Sequence, residues 1–101
     1  MTYIDRIPPL VKQALDNHAE YGHRCGSFVT AVLENDFQTA IGCAGPDSMA
    51  SLKKIAIYVH NNLPSQCYGS TEKVREWRES FSDMETAESN AALARSVREN
   101  G

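Results

Sequence analysis

The run Phe28-Val29-Thr30-Ala31-Val32-Leu33 is the densest apolar stretch in the chain, and it follows directly on Gly26-Ser27. Thr30 is its single polar interruption before Glu34. A helix with apolar side chains on nearly every side has no face to give to water, so the rest of the fold must close around it. The pattern predicts a central helix from Ser27 to about Asn35. Ser27 is its expected N-cap, because a serine hydroxyl suits the orphan N–H groups of a first turn. A second segment, Cys67-Tyr68-Gly69-Ser70-Thr71, again places Cys, Gly and Ser in that order ahead of a helical pattern. The remaining chain is read as what holds these two Gly-Ser starts in place.

Around them the apolar residues recur at helical rather than strand spacing. Ile4 and Ile7 lead into Pro8-Pro9, which open a helix because proline tolerates a first turn; Leu10, Val11, Ala14, Leu15 and His18 then share a stripe to about Glu20. Gly22 is the expected C-terminal glycine. Asn35-Asp36 ends the central helix and starts a short one over 37–44, where Phe37, Ala40, Ile41 and Ala44 recur. After a turn at Gly45-Pro46-Asp47-Ser48, Leu52, Ile55, Ala56, Val59 and Leu63 mark a fourth helix, broken by Asn61-Asn62-Leu63-Pro64-Ser65. Ser70 caps a fifth, with Val74, Trp77 and Phe81 on one side. Beyond Ser82 the large apolar residues run out, leaving Met84, Ala87, Ala91, Ala94 and Val97 as a thin stripe. The expectation is an all-α fold. A compact bundle of about five short helices occupies residues 1–81, and 82–101 form a polar, alanine-containing tail or an oligomerisation helix.

Composition narrows the function classes. The 101 residues suffice for one domain with a modest core. A net charge of -3 supplies no global field to draw in nucleic acid or an anionic membrane. A helix-turn-helix reading of 28–63 fails on the same ground, since Lys53-Lys54 is all the basic surface it offers. No apolar run approaches the roughly 18 residues of a membrane span, and Met1–Arg6 does not read as a signal peptide. Cys25, Cys43 and Cys67 are odd in number, widely spaced and free of any Cys-x-x-Cys pattern. They write neither a disulfide framework nor a zinc ribbon, so free thiols in a reducing cytoplasm are expected, with Cys43 a small apolar filler. No metal or cofactor is expected.

The chemistry is expected at the two starts. Free N–H groups and the positive dipole end favour an anion, glycine lets it approach the backbone, and serine adds a hydroxyl donor. Arg24 precedes the first start and Lys73 lies in the first turn of the second. Phe28, Tyr68 and Thr71 adjoin them, and Tyr68 offers a ring face. If the starts converge, Arg24, Gly26, Ser27, Phe28, Tyr68, Gly69, Ser70, Thr71 and Lys73 form one ligand-binding set. The simpler account makes both starts ordinary caps. His60 with Cys67 or Ser70 is a candidate pair for nucleophilic catalysis, and the non-enzymatic reading is preferred to it.

Gly-Ser-Phe-Val-Thr-Ala-Val-Leu-Glu-Asn-Asp-Phe at 26–37 and Asn-Asn-Leu-Pro-Ser-Gln-Cys-Tyr-Gly-Ser-Thr-Glu-Lys-Val-Arg-Glu-Trp at 61–77 resemble a family of small phage and prophage proteins. Members typically show a Gly-Ser-Phe-Leu start, an Ala-Val-Leu-x-Asn-Asp turn and a Cys-aromatic-Gly-Ser before a Glu-Lys-Val-x-x-Trp helix. The resemblance covers about residues 7–77. It implies a phage setting, and with it counter-defence: a cytoplasmic protein that sequesters an anionic small molecule, a cyclic or ADP-ribose-type nucleotide signal. A homo-oligomer formed through the fourth helix or the tail is expected on separate grounds, because the stripe at Ala87, Ala91 and Ala94 buries too little to be stable alone. The alternative partner is a host defence factor that the protein inhibits by direct contact.

Overall fold

Pro8 and Pro9 open the first helix as their position requires. In the computed structural model, which describes residues 7–100, α1 spans Pro9–Tyr21, with Pro8 as N-cap and its carbonyl accepting from the Val11 and Lys12 N–H groups. Ile4, part of the expected lead-in, lies outside the described residues. The helix ends at Gly22, whose φ of 68° is the left-handed conformation that glycine adopts without penalty. Leu15, His18 and Ala19 face inward from α1.

The predicted central helix is α2, Ser27–Leu33, and Val29, Ala31, Val32 and Leu33 are all buried. It stops short of Asn35, which turns the chain with a φ of 64°, a region asparagine tolerates better than most residues. Asp36 then caps α3, Phe37–Cys43, by accepting from the Thr39 N–H. Only Ala40 of α3 is fully enclosed, and Cys43, expected as a small core filler, is exposed. A seven-residue helix packed on α2 has one narrow inner face, and Cys43 falls outside it.

The turn expected at Gly45-Pro46-Asp47-Ser48 is taken up by a short helix, α4, Pro46–Ala50, and the expected fourth helix is α5, Leu52–Asn62, with Ser51 buried between them. Proline starts α4 itself rather than preceding it. Pro64 disfavours helical geometry at Leu63, so α5 ends there. A short 3₁₀ turn over Ser65–Cys67 leads to α6, Thr71–Glu79, capped by Ser70 as expected. Another at Ser80–Ser82 leads to α7, Met84–Asn100. No strand occurs among the described residues, and the fold is all-α.

The core is shared by all but the shortest helix. Leu15, Leu33, Ile55 and Val74 are essentially inaccessible, and burying each such side chain contributes about 1.5–3 kcal/mol relative to exposure. Trp77 packs into the same core and donates from its indole Nε1 to the carbonyls of His18 and Ala19, at 3.1 Å each. Most of the stretch set apart by sequence as a tail is α7, which docks on α1 and α5. Ala94 is buried there, so the alanine face meets the same chain. Ion pairs supply what the thin stripe lacks. Arg98 reaches Glu20 at 2.8 Å and Asp16 at 3.9 Å, and Arg95 reaches Glu20 at 3.1 Å, so the two helices run in opposite directions. The Arg98 bond, with a smaller part from Arg95, holds the Glu20 carboxyl below the usual range. Tyr58 of α5 joins this network by donating to Asp16 at 2.6 Å.

Candidate functional site

The second Gly-Ser start is the more firmly built. Its support begins with Cys67, which is fully buried and whose carbonyl accepts from His18 Nε2 at 2.9 Å. A carbonyl only accepts, so the proton sits on Nε2 and Nδ1 carries the lone pair. That Nδ1 is buried with no hydrogen-bond partner among the described residues. Burial lowers the His18 pKa to about 4, outweighing the Cys67 carbonyl, so the ring is neutral at neutral pH. Gly69 follows in an extended, positive-φ conformation of 119°, and its N–H donates to the Leu33 carbonyl at 2.7 Å. This bond fastens the start to the C-terminal end of α2. Ser70 Oγ accepts from the Lys73 N–H at 3.1 Å, while Lys73 Nζ donates to the Ser65 carbonyl at 3.3 Å. As in the first turn of any α-helix, the Thr71 and Glu72 N–H groups have no acceptor within α6 itself.

An apolar cleft of about 250 Å³ opens beside this start. Buried Val32, Leu33 and Val59 form its floor together with Ala56, and Asn35, Phe37, His60, Tyr68 and Gly69 form its rim. Tyr68 is half-buried, and burial raises its hydroxyl pKa. The arrangement presents two ring faces, an imidazole and a carboxamide around an apolar floor. That combination of mostly apolar lining with few polar groups is the usual make-up of small-molecule sites.

The first start belongs to a different cleft. Gly26, not Ser27, is the N-cap of α2, and Ser27 is an exposed first-turn residue whose side chain makes no capping bond. Glycine with a ψ of 173° already has the extended geometry a cap needs. Arg24, Cys25, Ser27, Thr30, Glu34, Asp36 and Arg78 line a polar cleft of about 340 Å³. Because Gly69 is bonded to Leu33 and Ser27 begins the same helix, the starts sit at opposite ends of α2, about 9 Å apart along its axis. They do not converge. Phe28 is half-buried against the core and lines neither cleft, and Thr71 is exposed at the first position of α6. The expected nine-residue set is thus divided, with Tyr68, Gly69, Ser70, Thr71 and Lys73 on one side and Arg24, Gly26 and Ser27 on the other.

The catalytic pair fares differently at its two nucleophiles. Burial pushes the Cys67 thiol up to about 12, so it holds no useful thiolate at neutral pH. Ser70 Oγ accepts the Lys73 N–H as a cap and keeps its own O–H as a donor. Among the described residues no cluster of three His, Cys, Asp or Glu is suited to a metal ion, and no helix is long and apolar enough to cross a membrane. Sequence reasoning passed over Phe37 as a cleft residue, preferred helix punctuation to a site role for Asn35-Asp36, and missed Arg78 altogether. The Asn35-Asp36 punctuation was the available signal for the first two. Arg78 reaches Thr30 Oγ1 with Nη2 at 3.4 Å across 48 positions, which no local pattern announces. In comparisons with known proteins the chain matches no family model, no curated protein and no solved structure.

Proposed function

We propose that the protein captures a small anionic, ring-bearing ligand of the nucleotide-signal type and leaves it chemically unchanged, withdrawing it from a host defence in a phage setting. The supporting observation is that the apolar cleft opens beside the α6 start. In this reading the ring lies between Phe37 and Tyr68 on Val32, Leu33 and Val59, with His60 and Asn35 reading its polar edge. The anionic group meets the free N–H groups of Thr71 and Glu72 under the positive end of the α6 dipole. Glu72 shares that turn and competes for the same field, so Glu72→Gln strengthens binding.

A thermal-shift screen against cyclic dinucleotides, cyclic ADP-ribose isomers and linear nucleotides tests the proposal. A ligand at a hundredfold excess over its dissociation constant stabilises by about 2.7 kcal/mol. The ligand is then recovered and checked by chromatography, where conversion to product would replace capture by catalysis. A second reading rests on the exposed apolar side chains of Phe37, Ile41 and Ile57. These suit direct contact with a host defence factor, and a factor that co-purifies while every nucleotide fails to bind would favour it.

A further inference from the structure

The polar cleft on the other side of α2 is not used by that reading, and it holds both signs of charge without pairing them. Arg24 and Arg78 line it together with Glu34 and Asp36. Ion pairs among the described residues involve Lys12, Arg95 and Arg98, and none of these four. Arg78 is held from within. Its Nη2 donates to Thr30 Oγ1 at 3.4 Å, it lies against the Cys25 thiol, and its buried Nε has no partner among the described residues. A guanidinium positioned this way, with donors left over, presents the planar fork that matches a carboxylate.

Glu34 follows Thr30 by one helical turn, about 6 Å along α2. Asp36 lies just beyond it, and its carboxylate accepts from Thr39 N–H at 3.2 Å and Thr39 Oγ1 at 2.7 Å. Those bonds hold Asp36 in its charged form. A simple anion drawn to the arginines meets both acids at close range, and a simple cation meets both arginines. A molecule carrying one charge of each sign satisfies the two ends together.

We propose that this cleft binds a small zwitterion of amino-acid or dipeptide size, its carboxylate on Arg78 and Arg24 and its ammonium toward Glu34 and Asp36. The test is an amide-resolved NMR titration of the full chain with four probes: alanyl-alanine, its N-acetyl form, its C-terminal amide, and inorganic phosphate. Free alanyl-alanine is expected to shift the amides of residues 24–30 and 34–39 and to bind about tenfold more tightly than either blocked form or phosphate. Arg24→Gln and Glu34→Gln each weaken it by a comparable factor, and since neither side chain is buried, the remaining spectrum stays native. Equal binding of the blocked forms overturns the proposal, as does preferential binding of phosphate. Absence of shifts from alanyl-alanine at millimolar concentration does so too.

Discussion

Replacing Gly22 with alanine probes how α1 is joined to the rest of the fold. Gly22 ends α1 in the left-handed region, with its N–H on the His18 carbonyl at 3.0 Å and the His23 N–H on the Asn17 carbonyl at 3.4 Å. An alanine forced into that conformation costs about 1–2 kcal/mol. Its Cβ would also fall 2.5 Å from Phe81 Cδ1, well inside van der Waals contact. Phe81 stands edge-on to Trp77 at a centroid distance of 5.8 Å, and Trp77 is itself hydrogen-bonded to the end of α1. Displacing the ring therefore disturbs the core, and such overpacking typically costs about 1–3 kcal/mol. The half-buried ring relaxes in part, so the two effects together come to about 2–4 kcal/mol, or a fall in Tm of about 10–20 °C. Urea unfolding followed by fluorescence of Trp77, the single tryptophan, measures it. Combining Gly22→Ala with Phe81→Ala isolates the backbone part, where the glycine change should cost only about 1–2 kcal/mol. A Gly22→Ala cost below about 0.5 kcal/mol, the range of an ordinary surface change, would refute the reasoning.

Ser70→Ala removes a side-chain cap and should lower stability by about 1 kcal/mol, whereas Ser27→Ala removes none and should stay within about 0.5 kcal/mol in the same denaturation assay. His18 is protonated less readily folded than unfolded, so stability falls as pH drops from the ordinary histidine range toward about 4 and this contribution levels off below that. The loss amounts to about 3 kcal/mol, measured as the urea midpoint against pH, and His18→Gln flattens the profile in that window. Thiol titration of the native protein should show Cys43 reacting first and Cys25 slowly, with Cys67 protected until unfolding.

Much of the helical plan is legible because it is local. The stripe Val11, Ala14, Leu15, His18 and the glycine at 22 specify α1 almost to the residue, and Ser70 marks the start of α6. What escapes is set by distant contacts. A short helix, α4, forms where a turn is expected, and it meets α5 at Ser51, a residue buried in the fold. The alanine stripe of α7 looks too thin to dock because the ion pairs that secure it join Arg95 and Arg98 to Glu20, 75 and 78 positions away. The site shows the same limit. Each Gly-Ser start is visible, but their relative position depends on one bond from Gly69 to Leu33, and that bond separates them.

The most direct test of ligand capture is calorimetric titration of Tyr68→Ala, Ser70→Ala and Ser27→Ala with the nucleotide that gives the largest thermal shift. Loss of a stacked ring should weaken binding by about 1–3 kcal/mol in the Tyr68 variant. Loss of a hydrogen bond to a charged group should cost a similar amount in the Ser70 variant, about 1.5–3 kcal/mol. Ser27→Ala, at the far end of α2, should bind as the parent does. Unchanged affinity in the Tyr68 variant, or a loss confined to Ser27, would contradict the assignment of the ligand to the cleft beside α6.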